Sequence, residues 1–173
     1  MNVIPDIKRI LYCTQVGPNS AYIFRYAVAL AEKFQAKITL LHVVSSLTPD
    51  QEALINGYIG PESIHDVVEQ GEQTALQRIR KHLEIFCSRL TEGRGCGNIV
   101  DQVRIREGSA AEEILAEAGE CGADVIVMGA HATSSLLDTI MGSTAQKVVR
   151  KSALPVLVVQ VPDGQQELTT TGI

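Results

Sequence analysis

The sequence predicts a layered α/β fold, with five parallel strands and helices on both faces of the sheet. Three observations carry that expectation. Short apolar runs alternate along the chain with segments of helical periodicity. Several of those runs are apolar at nearly every position, as strands buried on both faces are. The segments between them are long enough for right-handed βαβ crossovers. The 173 residues, 45% of them apolar, are expected to form one domain over 1-173 with ample core.

The elements follow in order. Arg9 to Thr14 (RILYCT) reads as a buried strand. Gly17-Pro18-Asn19-Ser20 breaks it and supplies a helix N-cap, after which Ile23, Ala27, Leu30, Ala31 and Phe34 recur at helical spacing as a core face. Lys37 to Val44 (KITLLHVV) is a second strand. Residues 46–62, with Pro49, Asn56, Gly57, Gly60 and Pro61, suggest an irregular excursion. A long helix is expected over 63–91, its later core at Ile79, Leu83, Phe86 and Leu90, ended by Gly93, Gly95 and Gly97.

A third, more polar strand over 99–105 suits a sheet edge. Ser109 and Glu112 have capping-box spacing, Ile114, Leu115 and Ala118 form the buried side of the helix behind them, and Gly122 stops it. A fourth strand spans 124–128. A loop over 129–141 leads to Gly142-Ser143-Thr144, which opens a short helix with Gln146 completing a second capping box. The last strand is expected at 155–161, followed by a polar tail over 162–173.

Composition excludes several functions. Fifteen Lys and Arg against twenty Asp and Glu give a net charge of −5, which argues against a nucleic-acid partner. No uncharged apolar run approaches the roughly 18 residues that span a bilayer. The N-terminus lacks a signal-peptide layout, so a cytoplasmic location and no membrane partner are expected. Cys13, Cys87, Cys96 and Cys121 have no metal-ligand or CxxC spacing and read as reduced thiols.

In parallel α/β sheets ligands sit beyond the carboxyl ends of the strands. The fourth strand ends in Gly129-Ala130-His131-Ala132, and Gly142-Ser143-Thr144 stands at a helix start further on. Glycine lets backbone approach a ligand closely, and free helix N-terminal amides favour an anion. A phosphate chain fits such a loop without a lysine. Ordinary turns and caps use the same residues, so spacing alone leaves both readings open. Neither GxGxxG nor GxxxxGK[ST] occurs. His131 suits a phosphate donor or an exposed loop position, and His42 a core imidazole. Asp138 reads as a loop carboxylate or a contributor to phosphate-bound Mg²⁺. His65, His82, Arg78, Arg80 and Lys81 read as a solvated helix face.

The run GSAAEEILAEAGECGADVIVMGAHATSSLLDTIMGSTAQKVVRKSALPVLVVQV resembles the C-terminal half of the universal stress protein family, and RILYCTQVGPNSAYIFRYAVALAEKFQAKITLLHVV resembles its beginning. That resemblance implies an open parallel sheet of order 3-2-1-4-5, Rossmann-like and akin to the adenine nucleotide alpha hydrolases. It also implies a homodimer paired through the last strand, 155–161. Some members bind ATP between the first and fourth strands through G-x2-G-x9-G-[ST]; others lack the motif and do not bind.

This chain reads G-x2-A-x9-G-S, so Gly129, Gly142 and Ser143 match while Ala132 departs. Thr144 falls at a further phosphate contact. Gln15 stands where the ATP binders carry a ribose-holding Asp, and Val43 where a backbone group meets adenine. Cys13, Thr14, Met128 and His131 would line the same crevice. A β-carbon in left-handed geometry at Ala132 costs about 1–2 kcal/mol, roughly 5- to 30-fold in affinity. Gln15 exchanges a charge-assisted hydrogen bond for a neutral one about half as strong. ATP binding, with or without Mg²⁺, is therefore expected to be weakened rather than abolished. The alternative is a degenerate dimeric stress or interaction protein that binds no nucleotide. Slow ATP hydrolysis ranks below both, because no positioned base, nucleophile or metal cluster stands out.

Overall fold

The protein is described by a computed structural model covering residues 4–15, 19–44, 77, 81, 99–130 and 141–162. Among them the elements run β1 (Arg9–Thr14), α1 (Ser20–Phe34), β2 (Lys37–Val44), β3 (Val100–Glu107), α2 (Ala110–Glu120), β4 (Val125–Gly129), α3 (Ser143–Lys151) and β5 (Val156–Val159). The five strands form one parallel sheet of order β3-β2-β1-β4-β5, the expected architecture. The excursion at 46–62, most of the long helix at 63–91, and the tail beyond Pro162 lie outside the described residues. Of the long helix, Gln77 and Lys81 are described; both are helical and exposed.

Strand alternation splits the core into two layers. Ile10, Tyr12, Ile38, Leu40, Val125 and Val127 point to one face and pack against Ile23, Phe24, Ala27, Val28 and Ala31 of α1. Leu11, Leu41, Ile126 and Met128 point to the other and meet Ala111, Ile114 and Ala118 of α2 and Ala145 and Val148 of α3. Helices therefore cover both faces, which is why β1 and β4 carry apolar side chains at consecutive positions.

Several local expectations are corrected. The buried stripe of α1 includes Ala21, Phe24 and Val28, while Phe34 is 38% exposed and Leu30 only half-buried. Phe34 continues the i, i+4 row of Tyr22, Tyr26 and Leu30 along the helix flank rather than the row that meets the sheet. Leu115 is half-buried, and the neighbouring inward position is taken by Glu117. β3 runs to Glu107, beyond the expected end. β5 starts at Val156 rather than Pro155, because Pro155 has no amide to donate and joins the ladder only as an acceptor, from Ile126 N at 3.0 Å, and it ends at Val159, short of the expected 161.

Neither capping box forms. Ser109 is the N-cap of α2 without a side-chain bond, and Glu113, not Glu112, turns back, to Arg106. Gly142 is the N-cap of α3, and Gln146 Nε2 donates to the Met141 carbonyl instead, at 2.7 Å. Asn19 likewise caps α1 without a side-chain bond. The stop at Gly122 does form. Its φ of 62° lets the amides of Gly122 and Ala123 reach the carbonyls of Gly119 and Ala118, a Schellman closure. Asp124 precedes β4: its Oδ2 accepts from the amides of Lys8 and Arg9, and its own amide donates to the Arg9 carbonyl, at 2.7–2.8 Å. That carboxylate sets where β1 begins against β4.

Candidate functional site

The strand order reverses at β1, which has β2 on one side and β4 on the other. The two connections leave in opposite directions there, so the carboxyl ends of β1 and β4 flank a crevice. On one wall stand Cys13, Thr14 and Gln15; on the other, Met128, Gly129 and Ala130. The β1–β4 register ends at Cys13 opposite Met128, while the β1–β2 register continues to Thr14 opposite His42. Beyond Cys13 the first strand is held from one side.

The bend after β4 and the start of α3 converge over this point. Ala130 N donates to the Val159 carbonyl at 2.9 Å, extending β4 along β5, and the Ala130 carbonyl accepts from Gly142 N at 2.8 Å. The first helical bond of α3, Gln146 N to the Gly142 carbonyl, is 3.0 Å long. The amides of Ser143, Thr144 and Ala145 belong to the first turn and have no carbonyl within the helix to bond. Ser143 is exposed and Thr144 half-buried, so two hydroxyls accompany those amides. Gly142 has φ −57° and ψ 150°, a conformation open to any residue. Its lack of a side chain is therefore not a demand of the backbone.

The other expected residues are placed as follows. Cys13 and Val43 are half-buried on the α2/α3 face, and Met128 is a core side chain of the same layer, 5% exposed. Desolvation pushes the Cys13 thiol well above its ordinary range, so it is held protonated. Thr14 is buried, and Gln15, the first residue beyond β1, is exposed. His131, Ala132 and Asp138 lie outside the described residues. Two participants were not expected at the site: Ala130, quoted only within the run after the fourth strand, and His42, read as a core imidazole. Ala130 acts through its backbone, which no side-chain pattern reports. His42 is half-buried, and its Nδ1 lies 2.9 Å from the Thr14 carbonyl.

The residues gathered here carry no formal charge, so the positive polarity at the crevice comes from amide dipoles. Among the described residues no group of three or more His, Cys, Asp or Glu is arranged to hold a metal ion. No described helix is long and apolar enough to cross a membrane.

Comparison with known proteins agrees with this architecture. The model of the Universal stress protein family matches residues 6–160. Universal stress protein MJ0577 of Methanocaldococcus jannaschii is 26% identical over 154 residues, covering 88% of this chain and 94% of its own. The solved structure of MJ0577 superposes with a TM-score of 0.69 at 24% identity, covering 92% of this chain and all of the other. Universal stress protein UspA from Lactobacillus plantarum gives a TM-score of 0.65 at 21% identity, over 90% and 99% of the two chains. A universal stress protein solved in complex with cAMP gives 0.50 at 16% identity, over 90% and 98%. At these identities the structural likenesses speak for the fold.

Proposed function

The chain belongs to the universal stress protein family, and from that membership and the β1/β4 crevice we propose that it is a cytoplasmic adenine-nucleotide-binding regulatory protein. The observation that carries this reading is the 2.8 Å bond from Gly142 N to the Ala130 carbonyl. It draws an α-helix N-terminus with two hydroxyls over the switch point of the sheet. ATP is the nucleotide that the G-x2-A-x9-G-S run supports best. Ser143 and Thr144 would hold its phosphates, Gln15 its ribose, and the backbone at Val43 its base, with Cys13, Thr14, Met128 and Gly129 forming the floor. His131 and Ala132 belong to the same run and would complete the loop. Mg²⁺ would enter with the phosphates. Nucleotide occupancy alters which surface the protein offers to others. A relative in complex with cAMP supports an adenine nucleotide as the ligand class.

The assembly that fits is a homodimer through the last strand. β5 is an edge strand paired with β4, and its Val156, Leu157 and Val158 are half-buried apolar side chains. An apolar edge of that kind is protected by a second copy.

Melting the protein with ATP, ADP and AMP in the presence of Mg²⁺ tests the reading. Ligand at about 100 times its Kd stabilises by about 2.7 kcal/mol, roughly 5–11 °C for a chain of this size. No shift at millimolar nucleotide would remove the proposal.

A second reading, a dimer that binds no nucleotide, is favoured by Ala132 and Gln15. It expects Ala132→Gly with Gln15→Asp to create binding that the natural protein lacks. A natural protein that binds as tightly as the double variant excludes it.

A further inference from the structure

The end of β1 is tethered to two neighbouring elements, α1 and β2, by side-chain hydrogen bonds. The Tyr12 hydroxyl donates to the Ser20 carbonyl at 2.8 Å. Tyr12 is fully buried against Phe24, with ring centroids 5.0 Å apart, so this anchor ties the first turn of α1 to β1. On the other side, His42 Nδ1 meets the Thr14 carbonyl at 2.9 Å. A carbonyl oxygen only accepts, so Nδ1 carries the proton and donates. The donation persists when the ring is protonated, because both ring nitrogens then carry hydrogen.

This bond stands where the sheet stops helping. β4 leaves the β1 register at Cys13, and Thr14 is the last residue of β1 paired with β2. The imidazole grips the Thr14–Gln15 peptide, and Gln15 is the exposed residue that follows. A peptide rotation there swings the Gln15 side chain relative to Ser143 across the crevice.

We propose that His42 is a positioning residue for the nucleotide site, its Nδ1–H fixing the Thr14–Gln15 peptide so that Gln15 is presented to the ribose. This rests on the nucleotide reading above. His42 does not touch the ligand; it acts through Thr14. Its role is to keep the site ordered before ligand arrives, so that less of the binding free energy goes into ordering it.

His42→Phe keeps the ring and removes the donor; His42→Asn restores an N–H at nearly the Nδ1 position. MgATP affinity is measured by calorimetry, and amide exchange at Gln15 by NMR in the ligand-free protein. His42→Phe is expected to weaken MgATP by about tenfold and to speed exchange at Gln15. His42→Asn is expected to lie within about threefold of the natural protein in both readouts. Should His42→Phe fail to fold, His42→Leu takes its place. A natural protein that binds while the donor-less variant binds equally well overturns this role and leaves the nucleotide reading standing. Equal weakening in His42→Phe and His42→Asn also overturns it, since the donor would then not be what matters. A natural protein that binds no nucleotide overturns both readings together.

Discussion

The amide of Gly142 donates to the carbonyl of Ala130 across 2.8 Å, joining the bend after β4 to the first turn of α3. Ala130 is 7% exposed, so its carbonyl has little water to turn to. This one bond holds the helix start above the strand ends, and it separates two roles of Gly142.

Gly142→Ala keeps the amide, and the φ of −57° admits a β-carbon without strain. Its melting temperature is expected to stay within about 2 °C of the natural protein while nucleotide affinity falls. Gly142→Pro also suits that φ but removes the donor. Leaving the Ala130 carbonyl unpaired costs about 1–3 kcal/mol, so its melting temperature is expected to fall by roughly 2–12 °C. Calorimetry and thermal melts on the two variants check both statements.

Arg106 of β3 gathers three carboxylates of α2. It donates to Glu117 at 2.6 Å, to Glu113 at 3.3 Å, and to Glu120. Those bonds, Glu117 foremost, push the guanidinium pKa further up. Glu117 is 3% exposed, a buried charge whose hydrogen-bonded partner is Arg106, with Arg104 pairing more distantly at 3.8 Å. Arg106→Leu is expected to lower the melting temperature by roughly 6–20 °C. Arg106→Leu with Glu117→Leu is expected to recover most of the loss, because no buried charge is then left unpaired. A double variant no more stable than the single one would refute this.

Alkaline pH should destabilise the fold through Cys13 first. Desolvation raises its thiol above the ordinary value of about 8.5, so the folded protein keeps a proton that the unfolded chain releases. Stability is full below that value and is lost as pH rises above it, by at most about 1.4 kcal/mol per pH unit for one thiol. Tyr12, raised by burial, adds the same sign above about pH 10. Denaturant melts of Cys13→Ala are expected to show a shallower decline between about pH 8.5 and 10. An unchanged slope would exclude Cys13 as the cause.

Gln35 ends α1 in the left-handed region, at φ 53° and ψ 38°, and its amide and that of Ala36 both reach the Ala31 carbonyl. A side chain in that conformation costs about 1–2 kcal/mol, partly offset by the greater unfolded-state freedom of glycine. Gln35→Gly is therefore expected to stabilise by up to about 1 kcal/mol, visible as a rise of roughly 2–4 °C in melting temperature.

The strands were legible because their signal is local. RILYCT and KITLLHVV are apolar at consecutive positions, and their bounds match β1 and β2 to the residue. Gly122 was equally legible, since a helix stop at positive φ favours glycine. Phe34 misled because a helix has two apolar rows, and sequence spacing does not say which one meets the sheet. The two capping boxes misled for a related reason. Ser109 with Glu112, and Ser143 with Gln146, have the right spacing, but Ser109 makes no side-chain cap bond and Gln146 is claimed by the Met141 carbonyl. Of the crevice, Gly129, Gly142, Ser143 and Thr144 were visible as residue types; Ala130 and His42 were not.

What the sequence determined by itself was the order and kind of the described strands and helices, because hydrophobic period and turn chemistry are written within a few neighbouring residues. Tertiary structure decided the rest. Ala130 and Gly142 meet only because β4 pairs with β5 and α3 folds back across them, and His42 reaches Thr14 only because β2 lies beside β1 in that register. Backbone amides carry no residue identity, so a site built from them becomes visible once pairing has brought distant bends together.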